Sequence, residues 1–292
     1  MELLIFDFGG TSVKYGIWSQ DALIPNSSFP TPKTWEELTT KLLEIKEHYA
    51  KDYQLEGAAF SFPGAVDSNN GVIHNISAIP YLAKIPLREN LERLLGLPCS
   101  IQNDAKCAAL AEIWTGAAKD SENVLFVVIG TGVGGVVILN KKIHFGKHFF
   151  GGEFGVMELE PGVTFSAGAT AVSMAKRYCE KVGVSEGTYS GQEVFQLAKD
   201  GDERATKEVQ NFYHYLSLGL YNLQVSYDPD LILIGGGISA NTEIIERIRA
   251  ELNAFFASRN LSYIQPEVRA CQYRNEANLI GAVKQFMEDR EK

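Results

Sequence analysis

Cysteine is scarce and scattered: Cys99, Cys107, Cys179 and Cys271 form no C-x-x-C pair. Neither a disulfide framework nor a zinc knuckle can be read from them, and reduced thiols of a cytoplasmic protein are expected. Long apolar runs are missing too, and none approaches the roughly 20 residues that cross a bilayer. The opening Met-Glu-Leu-Leu-Ile-Phe-Asp holds only a short apolar stretch between acids and reads as a strand rather than a leader. Basic residues are outnumbered, 27 Lys and Arg against 36 Asp and Glu, for a net charge of -9. Such a surface repels phosphate backbones, so no nucleic acid is expected as partner, and without a spanning run no membrane is expected either. No low-complexity stretch occurs, and the 10 prolines are few beside 27 glycines, which excludes a disordered or fibrous chain. A Walker G-K-[ST] is absent as well.

Apolar material is ample: 45% of 292 residues, enough for the cores of about two domains. Leu3 to Phe8 is an apolar run broken by Gly9-Gly10, and Val13 to Trp18 resumes it, which reads as strand, tight turn, strand. Thr34 and Glu37 fit a capping box, and Leu38, Leu42, Ile45 and Tyr49 follow at helical spacing, predicting a helix over 35–51. Gly57 to Phe62 reads as a strand, with helices over 87–95 and 105–114 flanking a short strand at 99–102. Polar Lys119 to Asn123 then separates two units. After it the pattern starts again: Val124 to Ile129, the turn Gly130-Thr131-Gly132, and Gly135 to Leu139 echo residues 3–18 and predict two related halves. Helices over 192–199, 203–223 and 242–257, a strand over 231–234 and a last helix from Ala277 complete an α/β reading. Its domains are 1–118, joined by the C-terminal helix 277–290, and 119–276.

Glycine turns follow apolar strands at Gly9-Gly10, at Gly130 to Gly135 and at Gly235-Gly236-Gly237. Glycine lets a backbone approach a ligand and turn its N–H groups toward phosphate oxygens, although each turn taken singly also fits a purely structural role. The middle turn has G-x-G-x-x-G spacing, but a strand follows it where a dinucleotide site needs a helix. In Asp7-Phe8-Gly9-Gly10-Thr11-Ser12-Val13-Lys14 an acid at a strand end precedes Gly-Gly, a hydroxyl and a lysine. Such a hairpin can hold a hydrated magnesium ion on the carboxylate while Thr11 and backbone N–H groups meet phosphate oxygens.

With D-x-G-G-T-x-x-K at Asp7, S-F-P-G-A-V-D from Ser61 to Asp67, Gln102-Asn103-Asp104-Ala105, G-T-G-V-G-G from Gly130 and I-G-G-G-I-S from Ile234, the chain resembles the ROK family of sugar kinases. That family lies within the sugar kinase, actin and Hsp70 superfamily, and the motifs run in order to Gly281-Ala282, essentially the whole chain. The resemblance implies two ribonuclease-H-like (actin-like ATPase) domains around a central cleft, and a homodimer. It implies ATP held by Asp7, Gly9, Gly10, Thr11, Lys14, Gly130, Thr131, Gly132, Gly134, Gly235 and Gly236, with magnesium on Asp7 through water. Asp104 would be the general base that takes the proton of a sugar hydroxyl. Asn103 would bind a neighbouring hydroxyl, with Pro63, Gly64 and the Glu153 of G-E-F-G also against the sugar. An acid beside an amide ahead of a helix is equally a common N-cap, and the two roles are compatible. Asn75 falls in a loop that approaches the sugar in this family, and it fits a turn residue as well.

One departure is plain. The family usually follows G-E-x-G with a histidine and a cysteine-rich zinc loop, whereas this chain has Val156 and no Cys or His from Met157 to Thr170. No zinc is expected there. Members of this kind resemble β-glucoside kinases, which phosphorylate O6 of the non-reducing glucose of a β-disaccharide such as cellobiose. Glucokinase, fructokinase or N-acyl-hexosamine kinase activity is the alternative within the family, with Phe165 a residue that could close the sugar pocket. A sugar-sensing regulator without kinase activity is the alternative of another class. Such regulators carry a DNA-binding helix-turn-helix ahead of the kinase-like body, and here the hairpin begins at Leu3.

Overall fold

The computed structural model describes residues 1–74, 78–274 and 276–291. The chain divides into two compact units, the first made of residues 1–119, 146–150 and 273–292, the second of 120–145 and 151–272.

Unit 1 opens with an antiparallel meander, β1 (Leu3–Phe8), β2 (Ser12–Ser19) and β3 (Ala22–Pro30). Helix α1 (Trp35–Tyr49), β4 (Gly57–Phe62), a small hairpin of β5 (Val66–Asp67) and β6 (Val72–Ile73), α2 (Leu87–Leu95), β7 (Cys99–Asn103) and α3 (Asp104–Trp114) follow. The sheet order is β3-β2-β1-β4-β7, with β4 parallel to β1 and β7 parallel to β4. Every residue of β1 is buried because both faces are covered, which is why it reads as a continuous apolar run instead of an alternating one. Leu4, Phe6 and Phe8 join Leu38, Leu42, Phe60 and Leu91 in one core, while Leu3 and Ile5 join Ala59, Ala111, Ile280 and Phe286 in another.

Unit 2 repeats the plan. Its elements are β8 (Val124–Ile129), β9 (Val133–Leu139), β10 (Lys142–Ile143), a hairpin of β11 (Glu158–Glu160) and β12 (Val163–Thr164), α4 (Phe165–Gly168), α5 (Ala171–Val182), α6 (Gly191–Lys199), α7 (Glu203–Tyr227), β13 (Leu231–Gly235), α8 (Thr242–Ala257) and β14 (Val268–Ala270). The order β10-β9-β8-β13-β14, antiparallel on one side of β8 and parallel on the other, matches that of unit 1. A five-stranded sheet of this order occurring twice is the ribonuclease-H-like arrangement of the actin-like fold. Helix α9 (Ala277–Arg290) then returns to unit 1 and lies on α3 and β4. A Cβ on Gly281 would overlap the Cys107 carbonyl, so only glycine lets α9 come this close to α3.

Several boundaries differ from the sequence reading, each for a local reason. Helix α3 starts at Asp104, because Asn103 is the N-cap and accepts the Lys106 N–H at 3.1 Å. Thr34 caps α1 by accepting from Glu37 N–H, but the Glu37 carboxylate accepts from Lys33 N–H at 2.8 Å rather than from Thr34, so the capping box is displaced by one residue. Strand β9 begins at Val133, two residues before its glycines end. The sequence reading has no strand at β3, whose prolines and serines lack strand character; an edge strand tolerates them. It also lacks α5 as an element, although Thr170 caps it and Met174, Ala175, Tyr178 and Cys179 make its buried stripe. Phe165 is fully buried in the unit 2 core, where a Cβ on Gly219 would strike its ring.

Candidate active site

Strand register in unit 1 lines up polar side chains that the sequence scatters. Asp7 stands opposite Lys14 on β2 and opposite Ser61 on β4, and Ser61 stands opposite Gln102 on β7. Directly paired residues share a face, so this is one polar row near the carboxyl ends of the parallel strands, where open α/β sheets place their ligands. Asp7 is mostly buried, and its Oδ1 accepts from Ser61 Oγ at 2.8 Å and from Asn278 Nδ2 of α9 at 3.0 Å. Oδ2 has no donor among the described residues. A magnesium ion keeps most of its waters and needs only one or two carboxylates, so an oriented Asp7 with one unpartnered oxygen fits it. Neither Asn278 nor the use of Ser61 was legible beforehand; Ser61 lay inside a quoted motif, whereas Asn278 gave no signal.

Between β1 and β2 the turn is closed by Gly9 N–H on Ser12 O at 2.9 Å. Thr31 braces it from β3's end, its Oγ1 donating to Gly9 O at 2.7 Å and its N–H to Thr11 O at 3.0 Å. Gly10 and Thr11 are exposed, and their N–H groups have no partner among the described residues.

Asp104 begins α3 and is half-buried. Its Oδ1 accepts from Ala105 N–H and from Asn103 Nδ2, both at 2.8 Å, and Oδ2 has no donor from another described residue. Burial pushes the carboxyl above its ordinary value, and the Asp7 charge adds to the push, against the pull of the Ala105 and Asn103 bonds. Asn103 thus caps the helix with its oxygen while its amide reaches both Asp104 and the Gly64 carbonyl, at 3.0 Å. Pro63 and Gly64, just past β4, are half-buried there, and Gly64 has a φ of 103°. Asn75 lies outside the described residues.

In unit 2 the turn between β8 and β9 is closed by Gly130 N–H on Gly132 O at 2.9 Å, and Ser166 Oγ of α4 accepts the Val133 N–H at 2.9 Å. The N–H groups of Thr131 and Gly132 have no partner among the described residues. Gly134 is on β9, and Gly235 pairs with Val128 at the end of β13, with Gly236 next to it. A cavity of about 700 Å³ opens in this unit, and its lining includes Gly130, Thr131 and Gly237 together with apolar Phe195, Val209 and Ile238. Glu153 is exposed between buried Gly152 and Phe154, the latter part of the unit 2 core. Among the described residues no group of three or more His, Cys, Asp or Glu is placed to hold a metal ion.

The ROK family model matches residues 4–288. The chain is 32% identical over 300 residues to a β-glucoside kinase of Listeria monocytogenes, covering 99% of this chain and 98% of that protein. It is 31% identical over 293 residues to a β-glucoside kinase of Klebsiella pneumoniae, covering 98% and 96%. A ROK family protein from Streptococcus pneumoniae, crystallised in complex with sucrose, superposes with a TM-score of 0.90 at 31% identity, covering 100% of this chain and 99% of that one.

Proposed function

The chain belongs to the ROK family, and from that premise we propose that it is an ATP-dependent sugar kinase acting on the 6-hydroxyl of glucose, or of the non-reducing glucose of a β-glucoside such as cellobiose. Asp104 carries the chemistry. Its Oδ1 is saturated by two donors, its Oδ2 is open, and its basicity is raised by burial, which is the condition of a general base near the end of its helix. In the transfer, the sugar hydroxyl oxygen bonds to the γ-phosphorus of ATP, the bond from that phosphorus to the β,γ-bridging oxygen breaks, and the hydroxyl proton goes to Asp104 Oδ2. Asn103, Pro63, Gly64, Asn75 and Glu153 hold the sugar.

On the nucleotide side, Gly9, Gly10, Thr11 and Lys14 meet phosphate oxygens, with Gly130, Thr131, Gly132, Gly134, Gly235 and Gly236 as a second set of backbone donors and close approaches. The 700 Å³ cavity that continues from Gly130 and Thr131 takes the nucleoside. Asp7 would hold a magnesium ion through water, and such an ion would supply charge neutralisation for the phosphates. The reading carries no zinc, and a cytoplasmic homodimer without nucleic-acid or membrane partners. No described helix is long and apolar enough to cross a membrane.

Preference for β-glucosides is supported by the β-glucoside kinase relatives and by Val156, which is 62% exposed where the family usually has a histidine. A free C1 hydroxyl gains no polar partner from valine, while a glycosidic oxygen has no proton to lose. An ATP-coupled assay with cellobiose, an aryl β-glucoside, glucose and fructose tests this. We expect kcat/KM for the β-glucosides to equal or exceed that for glucose; turnover of free hexoses alone would replace the specificity with that of a plain hexokinase.

A further inference from the structure

Glu208 lies in α7 with its side chain wholly buried, and such a charge is costly unless paired and hydrogen-bonded. It takes Arg177 Nε on Oε2 at 2.7 Å and Lys181 Nζ on Oε1, both from α5. Burial alone would push this carboxyl up, and the bonds from Lys181 and Arg177 outweigh it. Arg177 spends its other nitrogens elsewhere: Nη1 donates to Ala167 O at 2.6 Å and Nη2 to Gly168 O at 3.3 Å. Those are the last carbonyls of the single-turn helix α4, which has no following turn to satisfy them.

Residues of α4 in turn touch both functional segments of unit 2. Ser166 Oγ accepts the Val133 N–H that ends the glycine turn, and the Ser166 carbonyl is held by Thr170 and Ser173 hydroxyls at 3.1 and 3.2 Å. Gly155, two residues after Glu153, is wedged against the same two residues, since a Cβ there would overlap Val133 O and Ser166 Oγ. With Val133 N–H engaged, the Thr131 and Gly132 N–H groups are the ones left to a ligand. A buried ion pair is weak evidence for stability, because apolar residues of the same volume often serve as well. A fixed fork that reaches from a carboxylate to two carbonyls is a device for geometry.

We propose that Arg177 is a positioning residue: anchored by Glu208, it holds α4 so that Ser166 sets the phosphate-binding turn at Thr131 and Gly132. Its bearing on ATP rests on the kinase reading above. Arg177→Lys keeps a charge for Glu208 and loses the fork, and Ser166→Ala removes only the hydroxyl; both are paired in a double-mutant cycle. Each single variant is expected to raise the KM for MgATP about 10-fold with the sugar KM within about twofold, and the double variant to be no worse than the worse single, since both cut one path. Amide hydrogen exchange of the peptide covering 130–135 should speed up in Arg177→Lys while that of α8 does not change, and this readout needs no sugar or turnover. Unchanged exchange at 130–135, or additive effects with both KM values moving alike, would reduce Arg177 to a structural residue. A wild-type protein that phosphorylates nothing would instead sink the kinase reading and leave the exchange test standing.

Discussion

The two glycine hairpins share a strand pattern but differ in turn length and chemistry, with Gly9 to Ser12 between the last paired residues of one and Gly130 to Gly132 in the other. Phe8 pairs with Val13 in one and Ile129 with Val133 in the other; stepping back one pair, Asp7 opposite Lys14 corresponds to Val128 opposite Gly134. The parallel neighbour of Asp7 is Ser61, and that of Val128 is Gly235. Acid, ammonium and hydroxyl in unit 1 are therefore valine, glycine and glycine in unit 2. Both turns leave adjacent backbone N–H groups unpartnered among the described residues, so what they share is main-chain donors, the feature on which the proposed phosphate contacts rest. Only the first adds a charge, and that charge needs Ser61 and Asn278 to orient it. The second is braced by a hydroxyl from α4, where the first is braced by Thr31.

Predictions can break this division of labour. Asp104→Asn should lower kcat by about 100-fold or more in the unit that carries side-chain chemistry, with MgATP and sugar still bound. The asparagine oxygen can keep the bonds from Ala105 and Asn103, so the melting temperature should not fall, and near-normal turnover would leave Asp104 a helix cap only. Asp7→Asn comes next: roughly a 10-fold or greater rise in the KM for MgATP with sugar affinity intact, read by titrating the two substrates separately. Val128→Asp would copy the acid into unit 2 without a Ser61 or an Asn278 to hold it. There it should repel phosphate and weaken MgATP by several-fold; tighter binding would show that the turns are interchangeable.

The glycine of the bare hairpin and the one that follows β13 beside it divide further. Gly236 has a φ of 81° and a Cβ there would overlap Ile129 O, so Gly236→Ala should destabilise by about 1 to 3 kcal/mol in denaturant melts. Gly134 has nothing within 4 Å, and Gly134→Ala should cost less than about 1 kcal/mol. The smallest effect is on pH. Since the folded Asp104 carboxyl lies above its ordinary value, the acid limb of kcat/KM should lie above that of a free aspartate, with activity rising as the base ionises. The same shift means that the native state holds this proton more tightly than the unfolded chain. Its contribution to stability is full at low pH and lost as pH rises through the folded value, and Asp104→Asn should remove that slope in melts taken across the acid range.

Local patterns were legible because they are local. Helices α2 and α8 run over the residues their apolar spacing indicates, and β1 ends where its apolar run meets glycine. The repeat of strand, turn and strand is visible because one backbone need, a turn that exposes N–H groups, selects glycine twice. Edge strand β3 was not legible, since an edge tolerates residues that sequence patterns count against a strand.

Sequence by itself thus determined the α/β class, the repeated hairpin and the order of the motifs, for periodicity and turn chemistry act within a few residues. Tertiary structure alone decided the environment of each group. Asn278 meets Asp7 across 271 positions, and it can do so because Gly281 lets α9 lie on α3. Ser166 meets Val133 across 33 positions, and the upward shift of the Asp104 carboxyl comes from burial and a neighbouring charge. Those contacts form only once sheets and helices pack, because desolvation and hydrogen-bond geometry depend on distance in space and not on distance along the chain.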